Sequence, residues 1–277
     1  MDSKLKNAEH YIPSTANVSA QSISSDLNQS STPIFPGGFS NFGYWKNIYL
    51  PKEISFQDRI QSQVNLYMYL LNKLEITRED ALLEIGSGSG MGTLHAFDQY
   101  KPKSLIGLDI SNAHVSRAVA NKQKMHDNQA ISFAHGDGQG LSFAESTFNT
   151  LYSIETIQSM SSIDQFINES HRVLIPKGKI GISTFFAQHD QFIPQLKTNI
   201  PTVEAELDKL ISISKMVEAL VLHKFKNITV ESIGKHVFYS FDRWLDQFPE
   251  YSDHWRKNWF KAFGQGLIDY YVITGQK

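Results

Sequence analysis

The chain has 277 residues, of which 41% are hydrophobic and 12% aromatic, enough for one large domain or two small ones with a buried core. Its formal charge of −2 lacks the basic excess typical of nucleic-acid-binding proteins, so no nucleic-acid partner is expected. The absence of cysteine excludes disulfides and thiolate chemistry, and the ten histidines show no pair at metal-site spacing, so no metal is expected.

The amino-terminal composition differs from that of the rest of the chain. Residues 1–33 are rich in Ser, Asn, Gln and Thr and hold too little apolar surface to offset their ordering entropy. They are predicted to form a disordered arm, or a lid that orders over a ligand. The sequence shows neither a long apolar run nor the core of a signal peptide, so we expect a cytoplasmic protein without stable membrane insertion.

Residues 34–277 are predicted to form one domain in which helices and strands alternate. Apolar residues at helical spacing predict a first helix within 54–74, and later helices start at about 90, run from 111 to about 125, and cover 163–174. Alternation of this kind implies a parallel sheet with helices on both faces. Strands are predicted at 81–86, 104–110, 131–136, 148–154, 179–186, 227–233 and 267–274.

The stretch LLEIGSGSGMGTL, residues 82–94, joins the first strand to a helix through a glycine-rich loop. In open parallel sheets ligands bind at the carboxyl ends of the strands, which is where this loop lies. Glycines let the backbone approach a ligand closely, and the free N–H groups of the following helix favour a carboxylate or a phosphate.

Three details distinguish the loop from other nucleotide-binding loops. Met91 stands where a dinucleotide fingerprint has its third glycine, and no lysine follows to make a P-loop. Glu84 would repel a pyrophosphate but tolerate an ammonium group, although it could also only support the loop. A nicotinamide dehydrogenase is therefore the weaker interpretation.

Four motifs extend this pattern: LEIGSGSG, GLDIS, GDGQGLSF, and FNTLYSIETIQSM followed by ESHRVLIPKGKI. Together with NFGYW at 41–45, they resemble the class I S-adenosylmethionine-dependent methyltransferases, in the small-molecule branch that includes sterol, tocopherol and natural-product enzymes. The resemblance runs from about Asn41 to Thr184. It implies a Rossmann-like α/β fold with seven strands, the last antiparallel, and a helical cap insertion over about 187–226 on the acceptor side.

The resemblance also implies a binding site for S-adenosyl-L-methionine. Asp109 would accept hydrogen bonds from the ribose hydroxyls, and Asp137 from the adenine amino group. Tyr44 and Trp45 would cover the sulfonium through cation–π contacts. The other residues implied to contact the cofactor are Glu84, Gly86, Ser87, Gly88, Gly90, Ile110, Ser111, Gly138, Gln139 and Ile154.

Several of these assignments have a purely structural alternative. Asp109 could cap the following helix, and Asp137 could belong to an Asp-Gly turn. Tyr44 and Trp45 could anchor the helix that precedes the sheet. The sequence leaves these alternatives open.

Methyl transfer from a sulfonium needs alignment above all, and an oxygen acceptor also benefits from a general base. Some natural-product O-methyltransferases have adjacent histidines after a glutamate that follows the fourth strand. Here Glu155 is kept, but Gln158 and Ser159 stand at the histidine positions. We expect Glu155 to act as base or electrostatic stabiliser, unless it only holds the backbone. His189 is a reserve base, or an exposed loop residue.

The region 185–266 is rich in aromatic residues and favours an apolar pocket for the acceptor. We expect O- or C-methylation of a small, lipophilic metabolite, with the oligomeric state left open. A nucleobase or protein-amide methyltransferase is disfavoured, because no Asn/Asp-Pro-Pro-aromatic stretch follows the fourth strand. The alternative is a cofactor-binding protein of this fold with a non-methylating role, such as a cyclase or a pathway scaffold.

Overall fold

A computed structural model of the chain describes residues 33–50, 53–125, 128–251 and 254–277. The predicted arm over residues 1–33 lies outside the described residues, apart from Pro33. The strands are β1 (Ala81–Ile85), β2 (Ser104–Asp109), β3 (Ile131–His135), β4 (Phe148–Ile154), β5 (Leu174–Ala187), β6 (Lys226–Ser232) and β7 (Ile268–Gln276).

Helices separate most of these strands. The α-helices are α1 (Phe56–Lys73), α2 (Met91–Tyr100), α3 (Asn112–Met125), α4 (Ile163–Val173), α5 (Ile193–Asn199), α6 (Pro201–Glu204), α7 (Ile213–Leu222), α8 (Phe238–Leu245) and α9 (Asn258–Gly264). Short 3-10 helices lie at Pro36–Gly38, Ile157–Ser159, Asp190–Phe192, Gly234–His236, Pro249–Tyr251 and Trp255–Lys257.

Within the described residues the seven strands form one sheet in the order β3-β2-β1-β4-β5-β7-β6. The first five are parallel, and β7 runs antiparallel to both β5 and β6. The predicted seven-stranded Rossmann-like sheet with an antiparallel last strand is therefore confirmed. Strand β5 begins before the predicted residue 179, because Leu174 already pairs with Phe148, ahead of a register shift before the pair Thr150–Lys179.

The strand order has its switch point between β1 and β4, whose carboxyl ends form the crevice expected to bind a ligand. Apolar helix faces cover both sides of the sheet. On one side α1 contributes Leu66 and Leu70 to a core cluster; on the other, α7 contributes Met216 and Leu220, at i and i+4, to a second one.

The range 187–226, predicted as a helical insertion, contains α5, α6 and α7. Helix α7 packs on the sheet beside α4, in the same apolar cluster. The segment that remains for an acceptor-side role is the one before α7, and that role stays a prediction.

No helix in the part of the chain that the structure describes is both long and apolar enough to span a bilayer. Over the same residues, no group of three or more His, Cys, Asp or Glu side chains is arranged to hold a metal ion.

Candidate active site

The glycine loop leaves β1 and enters α2 with left-handed backbone at Gly86, Gly88 and Gly90, whose φ angles are 82°, 54° and 81°. A Cβ on Gly86 would lie 2.0 Å from the Thr156 hydroxyl oxygen, and one on Gly90 would lie 2.6 Å from the Phe133 ring. Both backbone conformation and packing therefore require glycine there. The loop itself is a candidate ligand contact, as the sequence predicted.

Asp109, at the end of β2, is the polar centre beside this loop. Its carboxylate accepts hydrogen bonds from the backbone N–H of Gly88 at 2.8 Å and of Ser111 at 2.9 Å, and lies 3.2 Å from Nδ1 of His114. Burial raises the pKa of Asp109, but these hydrogen bonds outweigh it and hold the pKa below its ordinary value. The ionised carboxylate keeps lone pairs for ribose hydroxyls, a role that remains a prediction.

The residues predicted beside the adenine lie at the same edge of the sheet. Ile110 is exposed next to Asp109. Asp137 follows β3 and accepts hydrogen bonds from the Gln139 backbone at 2.9 Å and from its side-chain amide at 3.2 Å. Gly138 is buried, and a Cβ there would lie 2.7 Å from Cγ2 of Ile85. The turn role and the adenine role of Asp137 are thus compatible.

Glu84 is fully buried and lines neither of the two cavities described below. Its carboxylate accepts hydrogen bonds from the hydroxyls of Tyr67 at 3.0 Å, Thr93 at 2.6 Å and Tyr152 at 2.9 Å. Burial raises its pKa to about 7, against the opposing effect of these hydrogen bonds. In this geometry Glu84 has a structural role, because its hydrogen bonds hold the start of the glycine loop in place.

Arg59, which the sequence motifs did not single out, holds the segment 34–42 next to the glycine loop. Its buried guanidinium donates to the carbonyls of Ile34 at 3.1 Å, Asn41 at 2.6 Å and Phe42 at 3.1 Å. Burial lowers the pKa of Arg59 to about 9, and the nearby Glu155 acts in the opposite direction. A signal was available, because Arg59 stands at i−7 from Leu66 on the buried face of α1.

Tyr44 and Trp45 do not line either cavity, so the structure does not place them over the predicted methyl donor. The Tyr44 ring stacks on Tyr69 with centroids 4.2 Å apart, and the Trp45 indole N–H donates to the Phe42 carbonyl at 3.0 Å. The chain turns away at Gly43, whose φ of 84° directs it towards α1. These contacts fit the core-anchor alternative, and it is residues of the segment 38–42 that line the two cavities.

Glu155 follows Ile154 at the end of β4 and has a left-handed φ of 46°. One carboxylate oxygen accepts hydrogen bonds from the Phe42 backbone N–H at 2.8 Å and from the Tyr270 hydroxyl at 2.9 Å. Burial raises its pKa to about 7, while these two donors and the charge of Arg59 favour the ionised form. Glu155 is therefore available in both protonation states near neutral pH.

Two cavities meet at this glutamate. The loop cavity, of about 30 Å³, is bounded by the glycine loop, residues 38–41 and residues 154–156. The large cavity, of about 460 Å³, lies beyond Glu155 and has the size of a small-molecule site. Both are lined by Gly38, Ser40, Ser89 and Glu155.

The walls of the large cavity come from distant parts of the chain. Gln158 and Ser159 line it. His189, by contrast, is exposed and lines neither cavity, and its ring centroid lies 5.5 Å from that of Phe192. The structure thus keeps the reserve base away from the site. The aromatic walls are Phe35, Phe42, Phe185, Trp255 and Trp259.

Known proteins resemble this chain in sequence and in fold. Residues 83–182 match the family described as a methyltransferase domain. The erythromycin 3''-O-methyltransferase of Saccharopolyspora erythraea is 25% identical over 146 residues, which are 53% of this chain and 45% of the relative. The demethylmenaquinone methyltransferase of Bacteroides fragilis is 28% identical over 144 residues, 50% of this chain and 59% of the relative. The chain spans about half the length of these curated relatives.

Among solved structures, the geranyl diphosphate C-methyltransferase of Streptomyces coelicolor has a TM-score of 0.76 to this chain at 12% identity. That similarity covers 96% of this chain and 99% of the other, and at such low identity it supports the fold alone. The family match adds what the fold cannot, since it begins in β1 and includes the glycine loop and the ends of β2 to β4. The sequence similarity therefore identifies residues 83–182 as a methyltransferase domain, and the chain resembles the methyltransferases named above.

Proposed function

We propose that this protein transfers a methyl group from S-adenosylmethionine to oxygen or carbon of a small, lipophilic acceptor. The observation that carries the proposal is the position of Glu155, which lines both the loop cavity and the large aromatic-walled cavity. A group at that junction faces cofactor and acceptor at once. In-line transfer needs the two ligands to meet at one such point.

The residues around the loop fit the cofactor. The backbone from Gly86 to Gly90 would hold its methionine part, Asp109 its ribose, and Asp137 with Gln139 its adenine. When bound, the cofactor supplies a methyl group on a positively charged sulfonium. The loop cavity is small, at about 30 Å³, and the Ser89 hydroxyl donates to the Gly38 carbonyl beside it.

The large cavity supports a lipophilic acceptor, since aromatic side chains form much of its wall. Gln158 and Ser159 cannot serve as bases at neutral pH. Of the ionisable groups that line the large cavity, Glu155 also lines the loop cavity, so we assign it to accept a proton or to face a developing positive charge. By their names, two of the proteins mentioned above act on the 3''-oxygen of erythromycin and on a carbon of geranyl diphosphate. Both atoms stay within the proposal.

The test measures S-adenosylhomocysteine and the mass of the acceptor after incubation with a panel of terpenoid, polyketide and aromatic compounds. Glu155→Gln should lower turnover at least about 100-fold, the usual contribution of a positioned acid–base group, while S-adenosylhomocysteine still binds. Glu145→Gln, a change in an exposed glutamate outside both cavities, is the matched control. Unchanged turnover in Glu155→Gln would contradict the role of Glu155, and a rearranged acceptor without S-adenosylhomocysteine would favour the non-methylating alternative.

A further inference from the structure

Three basic side chains line the large cavity from three parts of the chain. Arg117 comes from α3, Lys209 follows α6, and Arg256 precedes α9. The proposed methyl transfer uses none of them. Their convergence on a cavity with aromatic walls therefore needs a separate explanation.

Arg117 is the most informative of the three. Its Nε is buried and has no hydrogen-bond partner within the described residues. No carboxylate in the described part of the chain forms an ion pair with it. A buried donor of a charged group is unfavourable when it is left unsatisfied, so an acceptor atom from a ligand would complete this site. Arg117 shares its part of the cavity wall with Gly88, Ser89 and His114.

The carboxylates of the cavity do not balance these cations. Glu155 is already influenced by the positive charge of Arg59, which lies outside the cavity wall. Glu206 pairs with Lys197 at 3.1 Å, a residue that also lies outside the wall. Asp208 is the acid that remains. Arg117 and Lys209 face this one acid, so the cavity has an excess of positive charge.

We infer that the acceptor carries an anionic group, a carboxylate or a phosphate, which Arg117 binds while the apolar body packs on the aromatic walls. A planar guanidinium suits both groups, because it offers paired N–H donors in a fixed fork. Trp259 and Phe185, whose ring centroids are 4.3 Å apart, offer a continuous apolar surface for that body. This inference rests on the proposed function, since it names the class of acceptor.

The experiment measures binding rather than turnover. Trp255 and Trp259 line the cavity, so tryptophan fluorescence of the full chain, saturated with S-adenosylhomocysteine, reports a ligand that enters it. The probes share a twelve-carbon chain: dodecanoate, dodecyl phosphate, dodecanol and dodecyltrimethylammonium. We expect the two anions to bind about tenfold or more tightly than dodecanol, as one charge-assisted hydrogen-bonded pair allows. Arg117→Gln should remove that preference and leave dodecanol binding unchanged.

Two further variants keep the test decisive. Lys124→Gln removes an equal charge from an exposed position on the same helix and should preserve the preference for anions. Arg117→Lys keeps the charge without the fork and should retain part of the preference. Thermal unfolding of each variant separates a lost contact from a lost fold.

Three results would overturn the inference: equal affinity for dodecanol and the anions, tightest binding of the ammonium probe, or an unchanged preference in Arg117→Gln. A loss of S-adenosylhomocysteine affinity in Arg117→Gln that matches the loss for the anions would assign the guanidinium to the cofactor carboxylate instead. The proposed function fails in a different way, through absence of methylated product while the preference for anions persists.

Discussion

At the scale of single residues, the chemistry depends on how two buried glutamates are held. Glu84 and Glu155 have pKa values raised to about 7 by burial, yet their surroundings differ. Glu84 is enclosed by three hydroxyl donors and lines neither of the two cavities, whereas Glu155 lines both. We therefore expect the raised pKa to affect stability at Glu84 and turnover at Glu155.

The hydroxyl of Tyr270 should set the pH dependence of turnover through Glu155. Burial raises the pKa of Glu155, and the hydrogen bond from Tyr270 favours its ionised form. If the ionised form is the active one, turnover falls as pH drops below about 7. Tyr270→Phe removes the donor, so the pKa rises and the acidic limb of the pH–rate profile moves to higher pH. Tyr239→Phe, at an exposed position, should leave the profile in place; an identical profile in Tyr270→Phe would refute this coupling.

Glu84 should make the protein less stable as pH rises. Its pKa is about 7 in the folded state and near 4.5 when unfolded, so the folded state holds the proton more tightly. The stability from this group is complete below about pH 4.5 and is lost as pH rises through about 7. Glu84→Gln cannot ionise and lacks this loss.

Urea denaturation at pH 5 and pH 8 tests this expectation. The free energy of unfolding of Glu84→Gln, relative to the unchanged protein, should rise between the two pH values by about 1–3 kcal/mol. The absolute stability of the variant is not the readout, because an amide cannot accept all three hydroxyl donors. A difference that stays constant with pH would mean that Glu84 is ionised throughout.

At the scale of elements, helix α1 acts on the site through one charged residue. Arg59 bonds to three backbone carbonyls of the segment 34–42, and Phe42 of that segment donates to Glu155. Helix, covering segment and catalytic candidate are thus one connected unit. The ordering of the segment depends on a guanidinium that it buries completely.

Replacing that guanidinium should loosen the segment and destabilise the protein. Arg59→Met keeps much of the side-chain volume but leaves the carbonyls of Ile34, Asn41 and Phe42 without their donor. We expect a loss of about 3–5 kcal/mol in the free energy of unfolding, the range seen when one partner of a buried charged network is removed. Limited proteolysis should show new cleavage within residues 34–42. Arg78→Met, an exposed arginine beyond α1, should show neither effect; equal protection of the segment in both variants would contradict its anchoring by Arg59.

The contacts among helix α1, the segment 34–42 and Glu155 could not be predicted from the sequence, whereas other parts of the site could. The strands, the glycine loop and Asp109 followed from short-range patterns, because strand periodicity and loop composition are local properties. The covering segment did not, since its place is set by contacts between Arg59 and carbonyls up to 25 positions away along the chain. Without knowledge of these contacts, Tyr44 and Trp45 were expected to lie at the cofactor. No local pattern shows that the chain turns away at Gly43.

At the scale of the whole molecule, the sheet brings the parts of the site together. Because β1 and β4 are neighbours at the switch point, the glycine loop and Glu155 meet although about seventy positions separate them along the chain. The antiparallel β7 then places Tyr270 beside Glu155 from the far end of the sequence. The site can therefore form only once the complete sheet has formed, so ligand binding and global stability should be coupled.

This coupling predicts stabilisation by the cofactor. A ligand at about 100 times its dissociation constant adds about 2.7 kcal/mol to the free energy of unfolding, or roughly 5–10 °C in Tm for a chain of this size. S-adenosylmethionine and S-adenosylhomocysteine should both give this shift in a thermal unfolding experiment, and NAD should give none, because Met91 and Glu84 disfavour a pyrophosphate at the loop.

Asp109→Asn locates the effect within the site. The amide keeps one acceptor oxygen but loses the charge and half of the acceptor capacity, so both adenosyl ligands should bind at least about tenfold more weakly. The shift at a fixed ligand concentration should then shrink by about 1.4 kcal/mol, since each tenfold change in affinity has that value. Asp98→Asn removes a carboxylate from an exposed position on α2, away from both cavities, and should retain the full shift. Equal shifts in the two variants would show that the adenosyl ligands bind without Asp109, and that the crevice at the switch point is not where the cofactor lies.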